Sequence, residues 1–238
     1  MIGTDFPKIE FEMFGLQLLE PMAMIGDGLM GGLSLFYAYQ LLKIKSDAKF
    51  YYFWVVFYII FGIGAILGGL GHIFYNQLGV IGKVPSWALG PLTAFFIERA
   101  FISVHWVEKI KKRLLFWSNI KLVLAYIACV LLFVFTTGEK QTTLPFIPIA
   151  INTMIGVVGV AGILGVKYHK NISRSYRYFW IGVLVLIPTA FIFLLKINPH
   201  QWFDKNDFSH LLFMIGITFF YWGIKSINRH GVIENSEL

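Results

Sequence analysis

The stretch FYYFWVVFYIIFGIGAILGGLGHIFYNQ, residues 50–77, decides the fold. It contains no lysine, arginine, aspartate or glutamate. A helix needs about 20 apolar residues to cross a hydrocarbon core of ~30 Å. A helix on a soluble domain would show a polar face at the 3.6-residue period, and this run shows none. It reads as a transmembrane helix.

Six more segments meet the same test, at about 15–42, 85–107, 114–136, 144–166, 177–196 and 206–225. The breaks between them are short and charged or turn-rich, so the chain reads as a single seven-helix transmembrane domain over 1–238. Composition agrees. Of 238 residues 57% are hydrophobic and only 14% charged, with a mean hydropathy of +0.69. Charged residues make up about 25% of an ordinary soluble domain. A soluble enzyme, a disordered chain and a nucleic-acid-binding domain are therefore excluded. The single Cys129 sits in an apolar run, so no disulfide framework and no cysteine-based metal motif exists.

The basic residues alternate from loop to loop. Lys43, Lys45 and Lys49 precede helix 2, and Lys109, Lys111, Lys112, Arg113 and Lys121 mark the start of helix 4. Lys167, Lys170, Arg174 and Arg177 lie between helices 5 and 6, and Lys225 and Arg229 follow helix 7. These are 14 of the 20 Lys and Arg residues. The positive-inside rule places them in the cytoplasm. The expected topology is all-α and polytopic, with the N-terminus outside and the C-terminus cytoplasmic. The net charge of +7 then encodes orientation rather than an acidic partner. Abundant Lys, Phe and Ile beside few Arg suggest a bacterial inner (plasma) membrane. The acidic N-terminus lacks a basic n-region, so the first apolar segment is expected to be retained. Aromatic residues at span ends, including Phe50, Tyr51, Trp54, Tyr176 and Trp180, read as an interfacial belt. Glycines in helices 1 and 2 read as close-packing positions. Pro188 is an expected kink in helix 6. His105 and His169 read as solvated interface residues.

Ionisable groups within spans are costly and mark sites. Counting from the segment ends puts Asp27, Glu98 and Arg99 at one midplane depth, with Arg99 placed to neutralise Asp27. That layer is either a helix-packing ion pair or a proton-relay and substrate-polarising cluster. A second layer near the outer face holds His72, His210, Asp207 and Glu20, with Asp204, Asn76, Asn206 and His200 nearby in sequence. Two imidazoles and several carboxylates at one depth fit a zinc site, because zinc takes His and carboxylate ligands. Structural hydrogen bonding and proton handling are the other readings of the same residues.

Seven spans, an outside N-terminus, a histidine in helix 2 and another early in helix 7 resemble the membrane hydrolase superfamily of alkaline ceramidases and progestin and adipoQ receptors. That family carries Ser-x3-His in helix 2 and His-x3-His in helix 7, around a zinc that hydrolyses a lipid amide. The matching positions are Gly68-x3-His72 and Asn206-x3-His210. The resemblance implies zinc on His72 and His210 with Asp207 or Glu20, a lipid-like substrate, and supporting roles for Asp27, Glu98 and Arg99. A microbial-rhodopsin reading fails, since Lys225, the helix 7 lysine, lies at the cytoplasmic end. The competing reading is a non-enzymatic transporter, proton-coupled sensor or small-molecule receptor built on Asp27, Glu98 and Arg99. A scaffold without a site is the third.

Overall fold

The computed structural model describes residues 2–46 and 48–229. Asp47, in the first basic loop, and the tail from His230 lie outside these residues, as does the expected position of the C-terminus. The chain opens with an antiparallel hairpin, β1 (Glu10–Met13) and β2 (Leu16–Leu19), in which Glu10 pairs with Leu19. Helices follow: α1 (Pro21–Leu42), α2 (Lys49–Ile73), the single turn α3 (Tyr75–Leu78), α4 (Val84–Ser103), α5 (Glu108–Phe135), the short α6 (Glu139–Thr143), α7 (Phe146–Met154), α8 (Ile163–Asn171), α9 (Arg177–Leu194) and α10 (Lys205–Arg229). A π-helical segment, Ile155–Gly162, joins α7 to α8 in one continuous helical stretch.

Six helical stretches among the described residues are long and apolar enough to cross a membrane: Lys49–Ile73, Tyr75–Ser103, Glu108–Phe135, Lys140–Asn171, Arg174–Leu194 and Lys205–Asn228. The seventh expected span, 15–42, is shorter as a helix. Residues 16–19 belong to the hairpin, and Glu20 and Pro21 start α1 six residues later than expected. The break is local: Glu20 adopts φ 49°, ψ 58°, a left-handed conformation, and proline follows at the first helical position. At the other boundaries the largest difference is α5. It begins at Glu108 rather than 114, because Lys and Arg are strong helix formers and extend the helix beyond its apolar part.

α1 packs along α2 and α10, α2 along α4, and α9 along α10. The α1–α2 crossing is close enough to need glycine. A Cβ on Gly31 would lie 2.8 Å from the Gly62 carbonyl oxygen, and one on Gly62 would lie 2.9 Å from Leu35 Cγ. The core is aromatic. Phe50, Trp54, Tyr58, Phe101, Tyr168, Tyr176, Phe179 and Phe220 are all buried in one cluster. Phe50, Tyr51, Trp54 and Tyr176 therefore do not join an interfacial belt: inward-facing helix ends bury their aromatics against one another, with Trp54 stacked on Phe179 at 5.3 Å. Trp106, Trp117, Trp202 and Trp222 remain exposed, as a belt requires. α9 continues through Pro188 as a single helix.

Candidate functional site

Two polar centres lie inside the helical bundle. The first is at the end of the bundle that carries the hairpin. Glu20 is fixed there by its backbone, whose N–H donates to the Ile9 carbonyl at 2.9 Å. Its carboxylate is shared: Oε2 lies 2.7 Å from Nδ1 of His72 on α2, and Oε1 accepts from Lys8 of the N-terminal segment. Lys8 also reaches Oδ2 of Asp204 at 3.7 Å. Burial alone would raise the Glu20 pKa, but His72 and Lys8 outweigh it and hold it at about 2. Glu20 thus holds a left-handed backbone conformation, φ 49°, costly for a non-glycine residue, while its backbone N–H and both carboxylate oxygens are engaged.

Asp27 sits one layer deeper, in the second turn of α1, and is buried. Nε2 of His210 on α10 lies 3.4 Å from its Oδ1. Its Oδ2 faces α2 and α4. A Cβ on Gly68 would lie 3.4 Å from that oxygen and 3.2 Å from Ser86 Oγ. The other face of the His210 ring system is equally polar. A Cβ on Gly26 would lie 3.0 Å from His210 Nδ1 and 3.7 Å from Asp207 Oδ1. Neither of those two buried atoms has a hydrogen-bond partner among the described residues. Asp207 uses its other oxygen to accept from the Asp204 N–H at 3.0 Å. Lys83, in the 3-10 turn before α4, acts electrostatically on both Glu20 and Asp27.

The second centre joins α4, α5 and α7. Glu98 is almost fully buried, with Oε1 2.6 Å from Lys121 Nζ and Oε2 accepting from Ser118. Lys121 also donates to Asn152 Oδ1 at 2.6 Å and to the Asn152 carbonyl at 3.0 Å. Asn152 in turn donates to the Pro91 carbonyl at 3.2 Å. Each charge and amide here has its partner.

The expected midplane layer is thus divided. Asp27 lies about 9 Å along α1 from its start, and Glu98 about 21 Å along α4, at ~1.5 Å per residue. Arg99 does not neutralise Asp27. Its guanidinium bonds Asn119 and lies 4.5 Å over the Phe95 ring. Lys121 is not a loop residue but the partner of Glu98 within α5. His72, Glu20, His210 and Asp207 do gather at one end of the bundle, as two carboxylate–imidazole groups rather than as one ligand set. Among the described residues no group of three or more His, Cys, Asp or Glu side chains is placed to hold a metal ion. Asn206, at the position of the first helix 7 histidine of the resembled family, bonds Asp204 instead. His105 is buried rather than solvated, its ring against Trp106 at 5.0 Å. The residues that sequence reasoning missed are Lys8, Ser86 and Lys83 at the first centre, and Ser118 at the second. Ser86, on α4, stands opposite Gly68, its Oγ 3.2 Å from where a Gly68 Cβ would lie.

Residues 22–229 match a family model. The chain belongs to DUF6962, a family of unknown function. No curated protein and no solved structure matches the chain. The DUF6962 match takes in Asp27, His72, Ser86, Asp207 and His210, together with the whole Glu98 centre. Lys8, Glu20 and the hairpin precede it.

Proposed function

We propose that the chain is a proton-responsive, non-enzymatic membrane protein, a sensor or proton-coupled transporter, whose working group is His210 between Asp27 and Asp207. The carrying observation is that Nε2 of this half-buried imidazole lies 3.4 Å from Asp27 Oδ1 on α1, while its Nδ1 and Oδ1 of Asp207, one turn earlier on α10, are both buried without a hydrogen-bond partner among the described residues. A neutral imidazole has one N–H and one acceptor nitrogen, so it serves one carboxylate; an imidazolium donates to both. Proton uptake would therefore charge the His210 contact that joins α10 to Asp27 on α1 and leave Nδ1 a donor towards Asp207, and proton loss would weaken that contact. Glu20 and His72, Lys83, and Asp204 are the other charged groups facing this centre. Histidine is suited to such a switch because its ordinary titration lies near neutrality.

In this reading α1 is a seventh crossing. Its 22 helical residues and its packing between α2 and α10 support that. The basic loops support an outside N-terminus and a cytoplasmic C-terminus, and the Lys- and Phe-rich composition supports a bacterial inner membrane. The test uses proteoliposomes holding a pH-sensitive dye, and tryptophan emission against pH in nanodiscs. The wild type is expected to show proton flux or a pH-dependent emission transition, and Asp27→Asn and His210→Gln to lose it. Unchanged behaviour in both variants refutes the reading.

The lipid-hydrolase reading has one observation in its favour, the Ser86 hydroxyl that faces Gly68 from α4 on the side where Asp27 Oδ2 also lies. Each imidazole has one ring nitrogen that does not face its carboxylate, Nε2 of His72 and Nδ1 of His210, but among the described residues no third ligand is placed with them. Elemental analysis separates the readings: stoichiometric zinc in the purified protein, lost in His72→Ala, would replace the proton reading with the hydrolase.

A further inference from the structure

The opposite end of the bundle carries a different chemistry. Here Lys109, Lys111, Lys112 and Arg113 form the first turns of α5, and α8 brings Lys167 beside them. None of these five takes part in an ion pair among the described residues, whose salt bridges all lie at the hairpin end or at Glu98. Glu108 is the one carboxylate in the described loops at this end. This basic surface lies directly at the ends of helices long enough to span a bilayer.

One place on this surface is built. Tyr168 is fully buried and donates to the Phe101 carbonyl at 2.9 Å, which fixes the end of α8 against the end of α4. His105 accepts from the Val107 N–H at 3.1 Å, which folds the turn between α4 and α5. Trp106 stacks on His105 and stays half exposed, with Lys167 Nζ 5.0 Å over its ring. The Lys111 N–H donates to the Val107 carbonyl at 2.9 Å, so Lys111 on α5 flanks this turn as Lys167 on α8 does, and their fields add to burial in lowering the His105 pKa. An indole at headgroup depth beside paired lysines is the arrangement that meets a lipid phosphate with its acyl chains running down the helices.

We propose that Lys111, Lys167 and Trp106 form a binding site for the headgroup phosphate of an anionic phospholipid in the adjoining leaflet. The site is independent of the proton-responsive centre, since it lies at the other end of the bundle and shares no residue with it.

The test is lipid retention by the full chain in detergent, read by native mass spectrometry, with phosphatidylglycerol and phosphatidylcholine as the two probes. Each lysine near a headgroup contributes about fivefold, so Lys111→Gln/Lys167→Gln should weaken phosphatidylglycerol roughly thirtyfold. Lys140→Gln, at the hairpin end, should leave it unchanged. Equal retention of the two lipids by the wild type overturns the proposal. So does full displacement of phosphatidylglycerol by inorganic phosphate at about 10 mM, which would make the site one for soluble anions. Should the double variant fail to fold, the wild type decides alone. Phosphatidylglycerol retention must fall between about 50 and 500 mM salt, and retention insensitive to salt overturns the proposal.

Discussion

Lys121→Met is the sharpest perturbation of the Glu98 centre. Glu98 is 1% exposed, and its carboxylate has Lys121 and Ser118 as partners. Methionine keeps the length and apolar stem of lysine but removes the ammonium, leaving a buried carboxylate with one hydroxyl donor. Removing one member of a buried ion pair costs about 3–5 kcal/mol. Insertion scales charge about 2.5–3.5 kcal/mol for an acidic residue at a helix centre. The two estimates meet near 3 kcal/mol. Lys121 also donates twice to Asn152, and those losses add about 1 kcal/mol. For a chain of this size each kcal/mol moves the melting midpoint by roughly 2–4 °C, so Lys121→Met should melt about 8–16 °C lower. Scanning fluorimetry of the purified protein in detergent reads this, with tryptophan emission as the signal. Glu98→Gln/Lys121→Met removes both charges and should recover most of the loss, to within about 4 °C of the wild type. A drop below about 2 °C for Lys121→Met, or a double variant as unstable as the sum of the singles, refutes the buried-pair reasoning.

Gly31→Ala places a methyl 2.8 Å from the Gly62 carbonyl oxygen and should destabilise by about 1–3 kcal/mol, whereas Gly28→Ala meets nothing within 4 Å and should be neutral or mildly stabilising in the same melting assay. Tyr58→Phe removes the hydroxyl that donates to the Ile217 carbonyl at 2.7 Å between α2 and α10; about 1–3 kcal/mol should be lost, because that buried carbonyl then has one donor fewer. The Glu20 pKa is held at about 2, below its ordinary 4.5, so its contribution is complete above pH 4.5 and disappears as the pH falls towards 2. Melting midpoints measured from pH 6 downward should therefore fall more steeply in the wild type than in Glu20→Gln, and parallel curves would count against the Glu20–His72–Lys8 group.

The helical spans were legible because the bilayer imposes a length, and residues 50–77 satisfied it without one charged residue. The start of α1 was not. Nothing in the hydropathy of 15–20 distinguishes a strand from a helix, and the break is made by a backbone angle at Glu20 and by pairing with a hairpin partner upstream. That shift of six residues misplaced Asp27 in depth and put it beside Glu98 and Arg99. His72, His210, Glu20 and Asp207 were read at one end of the bundle, where the structure also has them, since helix direction decides which ends are neighbours. Their pairing was hidden because it depends on helix rotation about the axis, which Gly26 and Gly68 permit. Lys121 was read with its loop because charge in sequence marks a boundary. The buried Glu98 that draws it inward lies twenty-three residues earlier on another helix.

The π-helical segment Ile155–Gly162 acts as a phase adapter. Each extra residue turns the following helix by about 100°, since an α turn takes 3.6 residues. Upstream, Asn152 is anchored on Lys121 and Pro91; downstream, Tyr168 is anchored on Phe101. Both anchors can be met at once only with the chain length present between them. A one-residue deletion within 155–162 would leave a helix just as apolar and long enough to cross the bilayer. It would nonetheless rotate Tyr168 about 100° off Phe101 and carry Lys167 away from Trp106. In this stretch the count of residues is as much a constraint as their identity.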